Sequence, residues 1–326
     1  MTDNFHRGIS CSCFRIDFIL FMNGMNLRIR ILVFSLLASL FVVFAIWFGA
    51  NAHQAGSDYI KAHNSYAEVM SLEERLFNLS NWLFPEQEYM ARAPLASDYE
   101  EDWTVAEEKL VSTAWIIAIG SLAFVLLTWI IFRAPGTSFI YRGLSLMIVA
   151  IAFLVLGIFV PMLEIAAFHT DLTVAIDNDL ASSIVGDERV FKGDTVYYYQ
   201  CKSVWQLIGM LFKSNNLVVG SAILLFSVIF PIVKMLVSGW LIMARKPSRY
   251  QKLEKVVGKI GKWSMADVFV AACFLAFLSF YNMNAGVDTE ATTLPGLYFF
   301  LTYVVLSILS SSIVSIAMRR RSELHL

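Results

Sequence analysis

The sequence predicts an all-α polytopic membrane protein of about six transmembrane helices, with both termini in the cytoplasm. Hydrophobic residues make up 58% of the chain and charged residues only 16%, whereas roughly a quarter of a typical soluble domain is charged. The mean hydropathy is +0.64. An apolar surface of this extent needs lipid around it, so the composition excludes a disordered chain and an ordinary soluble domain.

Six apolar stretches are long enough, or nearly so, to cross a bilayer core as a helix, which takes about 20 residues. They are residues 31–50, 114–132, 144–168, 217–243, 265–280 and 296–318. The fifth stretch is the shortest, but Trp263 and Tyr281 flank it as interfacial anchors. A start at Met25 would make the first stretch resemble a signal peptide. Because its apolar run exceeds the usual length of about 7–15 residues, we expect a retained membrane anchor.

The distribution of Lys and Arg over the connections indicates how the helices are oriented. Basic residues are concentrated before the first span, between the second and third, between the fourth and fifth, and after the sixth. The loop 51–113, on the opposite side, holds twelve Asp and Glu against four Lys and Arg. We expect a cytoplasmic segment (1–30), two helices with an acidic external helical loop (31–142), a four-helix unit (143–318) and a basic cytoplasmic tail (319–326).

The first external loop carries an apolar stripe whose members are three or four residues apart, as on one face of a helix. The stripe consists of Val69, Leu72, Leu76, Leu79 and Leu83, while Glu73, Glu74 and Arg75 lie on the other face. A helical cap packed on the membrane bundle explains this pattern, and a partner-binding surface is the alternative. For a partner, the candidate residues are Leu72, Leu76 and Trp82, together with Trp205 of the second external loop.

The second external loop, residues 169–215, has strand character. Residues 172–176 alternate between apolar and polar or small side chains, and residues 190–200 are rich in Val, Phe and Tyr. Turn-forming residues lie between the two runs, so we expect a short antiparallel hairpin. Ser203 can then cap a short amphipathic helix at the membrane interface. Between the fifth and sixth spans we expect only a short turn.

No catalytic or metal-binding motif stands out. All five histidines lie in terminal or loop positions, and nucleotide-binding, zinc-protease and serine-hydrolase motifs are missing. The four cysteines form no C-x-x-C pair. We therefore expect a protein that is not an enzyme and that has no cofactor, no metal and no nucleic-acid partner.

Ionisable residues within the apolar stretches are candidates for a lipid-binding groove. A central Lys costs on the order of 2.5–3.5 kcal/mol to insert, so it faces protein or water rather than lipid. Lys234 lies in the fourth stretch, and Asp267 lies about one turn into the fifth, where the two charges can approach, with Ser264 at the same end. Glu164, three residues past Pro161, lies near the outer end of the third stretch, where it could anchor a lipid headgroup or relay a proton. The alternative is that Lys234 and Asp267 only clamp two helices together and that Glu164 is merely interfacial.

The run Gly-Lys-Trp-Ser-Met-Ala-Asp-Val-Phe-Val, residues 261–270, resembles the most distinctive motif of the paraquat-inducible protein A family, in which it opens a membrane helix. Pro161 with Glu164, and Pro231 three residues before Lys234, lie where that family has them. The resemblance covers slightly over half of the chain, up to the C-terminus. Many family members also carry C-x-x-C zinc ribbons and a duplicated four-helix unit, neither of which occurs here.

The resemblance implies a multi-pass protein of the bacterial inner membrane that works with periplasmic proteins containing mammalian-cell-entry domains to move lipids between membranes. Membrane lipids and such a periplasmic protein are the expected partners. Lipid transfer needs a groove between helices with a few polar groups, because the headgroup must be solvated while its chains stay in hydrocarbon. The alternative function is a non-transporting membrane scaffold or a stress-response regulator of another membrane complex.

Overall fold

The computed structural model describes residues 27–133, 138–176, 188–243, 272 and 288–323. The helices are α1 (Leu27–Val69), α2 (Leu72–Leu76), α3 (Leu79–Leu83), α4 (Pro85–Ile131), α5 (Ser138–Phe159), α6 (Val204–Lys213), α7 and α8 (Pro295–Glu323). Helix α7 comprises the α-helix Leu217–Leu224, the π-helical turn Leu225–Ile229 and the α-helix Phe230–Met243, which follow one another without a break. The strands are β1 (Leu163–Ala175), β2 (Glu188–Lys202) and β3 (Asp288–Thr293).

In the part of the chain that the structure describes, five helices are long and apolar enough to cross a membrane, namely α1, α4, α5, α7 and α8. They contain most or all of five of the six predicted spans. The predicted fifth span, residues 265–280, lies outside the described residues. These helices indicate a multi-pass membrane protein.

The two longest helices, α1 with 43 residues and α4 with 47, pack antiparallel against each other. At 1.5 Å per residue they are about 64 and 70 Å long, roughly twice the thickness of a bilayer core. In the apolar part, Phe41 stacks on Phe124 with ring centroids 4.5 Å apart. Farther along, Ala55 and Leu110 are 1% and 0% exposed. The helical pair therefore continues well beyond the predicted spans 31–50 and 114–132.

Helices α5 and α8 form a second closely packed pair. A Cβ atom at Gly157 would lie 2.9 Å from backbone atoms of Phe300, so the two helices touch through their backbones there. Leu154, Phe300 and Tyr303 around this contact are at most 1% exposed. This pair shares one apolar core with α1 and α4.

A three-stranded antiparallel sheet of order β2-β1-β3 follows directly after α5. The predicted third span, 144–168, is therefore wrong in its last nine residues: the helix ends at Phe159, because Pro161 has no N–H group with which to continue it. Residues 163–168 pair instead with both β2 and β3. The predicted hairpin is confirmed as β1 and β2, whereas β3 replaces the short turn expected before the last helix.

Two short helices, α2 and α3, replace the single apolar-striped helix expected in the first external loop. Ser71 caps the start of α2 and Asn78 caps the start of α3, each through a side-chain oxygen that accepts a hydrogen bond from a backbone N–H group. Both cap residues have extended backbone conformations, which separate α2 from α1 and α3 from α2. Arg75, expected on a polar face, is 1% exposed. We call the sheet, α2, α3 and the charged outer parts of α1 and α4 (residues 51–69 and 85–113) the extramembrane layer, because they lie beyond the apolar parts of the long helices.

Helix α6 is the amphipathic helix expected after the hairpin. Its N-cap Ser203 forms a capping box with Gln206, which satisfies two backbone N–H groups at the start of the helix. Val204 and Ile208 are buried, whereas Trp205 is 51% exposed. In α7 the π-helical turn ends at Ile229, two residues before Pro231, and such a turn accommodates a residue that cannot donate within the helix.

Candidate functional site

Glu164, the second residue of β1, has its carboxyl group buried at the base of the extramembrane layer. Just before it, Pro161 packs on Gly56 of α1, where a Cβ atom would lie 2.6 Å from the Pro161 ring. This close approach directs the start of β1 against the outer part of α1. As a result Glu164 is only 5% exposed.

Three side chains surround the Glu164 carboxyl group. The Tyr59 hydroxyl of α1 donates a hydrogen bond to Oε2, and Nδ1 of His63, one turn farther along α1, lies 3.2 Å from Oε1. The Tyr199 hydroxyl of β2 faces the same carboxyl group. Because Tyr59 and His63 are four residues apart, their side chains are neighbours on one face of α1.

His63 lies among aromatic rings. Its imidazole stacks on the ring of Trp103 in α4, with centroids 3.9 Å apart and 21° between the planes. The rings of Tyr59 and Tyr199 each lie 4.9 Å from the imidazole, and Tyr66 meets Trp103 edge-on at 4.9 Å. These rings shield the imidazole and the carboxyl group from water.

Burial changes the proton affinity of both ionisable groups, which lie beyond the apolar part of the membrane-spanning helices, Glu164 in β1 and His63 in the outer part of α1. Burial raises the pKa of Glu164, and the Glu107 and Glu290 carboxylates add to this rise, whereas the hydrogen bond from Tyr59 opposes it. Burial lowers the pKa of His63 to about 4. Both shifts favour the uncharged form. His63 is therefore neutral at neutral pH, and the buried Glu164 carboxyl group holds its proton more tightly than an exposed Glu does.

A pocket of about 420 Å³ adjoins this cluster. We call it the acidic aromatic pocket, because acidic and aromatic residues make up most of its walls. The acidic residues are Glu100, Glu107, Glu164, Asp194 and Glu290, and the aromatic residues are Tyr59, Tyr66, Trp103, Phe168 and Tyr199. Among the described residues, neither Lys nor Arg lines it.

A second space, of about 650 Å³, lies between α1 and α5 within the apolar stretches, and we call it the apolar cleft. Small residues on both helices, among them Ala45, Gly49 and Ala152, leave this space open. At its outer end, Nδ1 of His53 lies 3.3 Å from the carbonyl oxygen of Phe159. The Trp205 ring of α6 packs against the Phe159 ring with centroids 5.6 Å apart, so α6 lies beside the outer end of the cleft.

The comparison with known families concerns the chain from β2 to α8. Residues 194–318 match the family model of paraquat-inducible protein A. This match confirms the resemblance seen in the sequence. It includes α6, α7, β3 and most of α8, whereas α1, α4 and Glu164 precede it. No curated protein and no solved structure matches the chain.

Of the predicted lipid-groove residues that the structure describes, Lys234 and Glu164 lie at different ends of the helical bundle. Pro231 and Lys234 lie within the paraquat-inducible protein A match, in the second half of α7, and Lys234 is about 26 Å along that helix from its first residue at 1.5 Å per residue. Glu164 lies at the other end of the bundle, where α5 ends. Asp267 and Ser264 lie outside the described residues, so their approach to Lys234 stays a prediction.

The four predicted partner-binding residues differ in their exposure to solvent. Nε1 of Trp82 donates a hydrogen bond to the Leu76 carbonyl oxygen at 2.6 Å, and the Trp82 ring meets Phe191 edge-on at 5.3 Å. Leu72 and Leu76 are half-buried. Trp205 alone of the four has about half of its surface exposed. A role of these residues in partner binding stays a prediction.

Sequence reasoning missed Tyr59, His63 and Trp103 as site residues. A signal was present, since Tyr59 with His63, and Trp103 with Glu107, have the four-residue spacing of neighbours on one helix face. Hydropathy reports only the lipid-embedded part of a helix, so the outer part of α1 was not recognised as helical. The contact of these residues with Glu164 depends on packing between distant segments.

The described residues include no group of three His, Cys, Asp or Glu side chains that could hold a metal ion. Cys201 of β2 is buried and unpaired. Burial raises the pKa of its thiol to about 12. Since the thiolate is the reactive form, this environment does not favour a reactive cysteine.

Proposed function

We propose that the protein is an inner-membrane component of an intermembrane lipid transport system, which passes lipid between the inner membrane and a periplasmic partner with mammalian-cell-entry domains. The apolar cleft is the observation that carries this proposal. It lies at the depth of the apolar stretches, and its volume of about 650 Å³ falls in the roughly 300–1,000 Å³ range of ligand sites. An acyl chain is the ligand that such a lining favours.

The rim of the cleft is accessible from the side. Ile46 and Val155, which line it, are 67% and 47% exposed, and they would meet lipid chains in a bilayer. A lipid chain can therefore enter between α1 and α5 without crossing a polar barrier. The outer end of the cleft reaches His53 and Phe159, next to the extramembrane layer, so the headgroup can leave hydrocarbon while the chain stays in the cleft.

The family match supports the same proposal. The matched residues 194–318 include α8, which packs through Phe300 on Gly157 of α5. Helix α5, which forms one wall of the cleft, therefore packs directly against α8 of the matched region. The role of a mammalian-cell-entry-domain partner comes from the resemblance to the paraquat-inducible protein A family.

Filling the cleft tests the proposal. Ala152→Phe places a ring in the cleft, whereas Ala123→Phe adds the same volume at an exposed position of α4 that does not line it. Native mass spectrometry of the purified protein should show bound phospholipid for the wild type and Ala123→Phe and little for Ala152→Phe. Transfer of a fluorescent phospholipid from proteoliposomes to acceptor vesicles should fall in the same order. A folded Ala152→Phe variant with normal lipid binding and transfer would refute the proposal.

A membrane scaffold or regulator is the second candidate, and exposed apolar side chains of the extramembrane layer favour it. Phe77, Phe84 and Met90 are 86%, 56% and 76% exposed, and exposed apolar surface of this kind is typical of interaction sites. If scaffolding is the function, replacing Phe77 and Met90 with Ser should abolish cross-linking to other membrane-complex subunits in cells, whereas Ala152→Phe should have no effect on the cells.

A further inference from the structure

The acidic aromatic pocket is separate from the apolar cleft and has no part in the proposed entry of an acyl chain. We propose that this pocket binds an organic cation through its ammonium group. The proposal does not depend on lipid transport, because it rests on the charge, the aromatic walls and the volume of the pocket itself.

The charge of the pocket favours a cation. Five acidic residues line it, and the lining contains no Lys or Arg among the described residues. Arg75, which lies near Tyr66 and Asp194, is committed elsewhere: its guanidinium donates hydrogen bonds to Glu88, to Thr195 and to backbone carbonyls of β2. Arg75 therefore does not neutralise the exposed carboxyl groups of Glu100, Glu107 and Glu290, which supply the negative charge that a ligand would meet.

The aromatic walls favour an ammonium group over a simple metal ion. Trp and Tyr rings attract an organic cation that lies over a ring face, and several rings together form the aromatic cages that recognise quaternary ammonium groups. Here Trp103, Tyr66 and Tyr199 supply such rings. His63 adds a further ring without adding positive charge, because burial lowers its pKa to about 4.

The acidic residues are distributed from the rim of the pocket to its base. Glu100, Glu107 and Glu290 are exposed, whereas Glu164 is buried against Tyr59. A cation that approaches from the solvent therefore meets the rim carboxyl groups first, then the rings, and finally Glu164. The volume of about 420 Å³ is within the roughly 300–1,000 Å³ of small-molecule sites.

An ammonium group can reach this pocket from two sources. One is a soluble amine, and the other is the ethanolamine headgroup of a membrane lipid. Glu164 lies five residues after the end of α5, so the base of the pocket is close to the outer limit of the apolar stretches. A headgroup at the membrane surface and an amine in solution would present the same chemical group.

Binding to the full-length protein in nanodiscs tests the proposal. In discs of phosphatidylglycerol, which has no ammonium group, isothermal titration with choline should show saturable binding. The matched ligand 3,3-dimethyl-1-butanol, which has the shape of choline but no charge, should not bind. Repeating the choline titration in phosphatidylethanolamine discs distinguishes the two sources. Equal binding in both discs assigns the site to soluble amines, and weaker binding in phosphatidylethanolamine assigns it to the lipid headgroup.

Two variants and a control locate the binding. Glu107→Gln and Trp103→Leu should each weaken choline binding roughly threefold to tenfold. Glu108→Gln removes the same charge from the next residue of α4, which is exposed and does not line the pocket, and it should bind choline as the wild type does. Thermal unfolding of each variant verifies that it is folded.

Three results would overturn the proposal. They are no choline binding in phosphatidylglycerol discs, equal binding of choline and its uncharged analogue, and equal loss of binding in Glu108→Gln and Glu107→Gln. If Trp103→Leu does not fold, the comparison of Glu107→Gln with Glu108→Gln decides alone.

Discussion

Arg75 and Glu88 form an ion pair, with Nε 3.0 Å from Oε1, in which the two side chains are only 1% and 2% exposed. The guanidinium also donates hydrogen bonds to Thr195 Oγ1 at 2.8 Å and to the carbonyl oxygens of Lys192 and Asp194. One side chain of α2 therefore connects the start of α4 with β2. The extramembrane layer is held together by this buried polar contact as well as by apolar packing.

Removal of the Arg75 charge should destabilise the extramembrane layer strongly. Arg75→Met removes one of two guanidinium partners of the buried Glu88 carboxylate, since Arg92 Nε also lies 3.0 Å from Oε1. Breaking a buried pair typically costs about 3–5 kcal/mol, and because Arg92 remains we expect a loss near the lower end of that range. The matched control is Lys192→Met, which breaks a pair between side chains that are 58% and 82% exposed and should cost less than about 1 kcal/mol. Hydrogen exchange of β2 and thermal unfolding measure the difference. Equal effects of the two substitutions would show that the buried pair contributes nothing special.

Glu164→Gln should make stability less dependent on pH. Because burial raises the pKa of Glu164 in the folded protein, the folded state holds this proton more tightly than the unfolded chain, in which Glu titrates near about 4.3. The contribution of the group is therefore full below that value and is lost as the pH rises through the folded pKa. As the pH rises above about 4.3, the Tm of the wild type should fall more steeply than that of Glu164→Gln. Glu108→Gln should keep the wild-type slope.

Gly157→Ala should separate α5 from α8. The added methyl group would lie 2.9 Å from the backbone of Phe300, which cannot move without shifting the helix, so we expect a loss of about 1–3 kcal/mol. Gly209 of α6 provides the control, because nothing lies within 4 Å of a Cβ atom there. Gly209→Ala should be neutral or should stabilise by up to about 1 kcal/mol. Thermal unfolding in detergent compares the two, and a Tm for Gly157→Ala at or above that of the wild type would contradict the backbone contact.

Lys234→Met should reduce lipid transfer while the protein stays folded and inserted. A Lys deep within an apolar helix costs on the order of 2.5–3.5 kcal/mol on insertion, so removing the charge should not impair insertion. Lys213→Met, at the exposed end of α6, is the control and should transfer lipid normally. Proteoliposome transfer of a fluorescent phospholipid and thermal unfolding are measured together. Lost stability with normal transfer would support the clamp interpretation instead.

The apolar helices were predictable because the hydropathy of a segment depends only on its own residues. The apolar stretches 217–243 and 296–318 coincide closely with α7 and α8, and the Ser203 cap was visible because a capping residue acts on its own helix. Helix ends outside the lipid were not predictable in the same way. The outer parts of α1 and α4 contain many charged residues, and their packing against each other stabilises them.

Of the residues that form the candidate site around Glu164, the sequence predicted only Glu164 itself. Glu164 was identified as an ionisable residue near a helix end, but its burial depends on Tyr59, which is 105 residues earlier in the chain, and on Tyr199 in the neighbouring strand. Strand β3 was missed for a similar reason. Its residues Thr289, Glu290 and Thr292 are polar, and pairing with β1 supplies the hydrogen bonds that make it a strand.

The two neighbours of β1 are synthesised at very different times. Strand β2 follows within the same external segment, but β3 pairs with residues that precede it by about 120 to 130 positions. At translation rates of about 5–20 residues per second, one edge of β1 stays open for on the order of ten seconds, and an open strand edge invites pairing with other chains. A nascent chain arrested after α7 would therefore keep that edge of β1 exposed. Because β3 covers the edge, we expect the chain to become resistant to protease only after β3 has been synthesised.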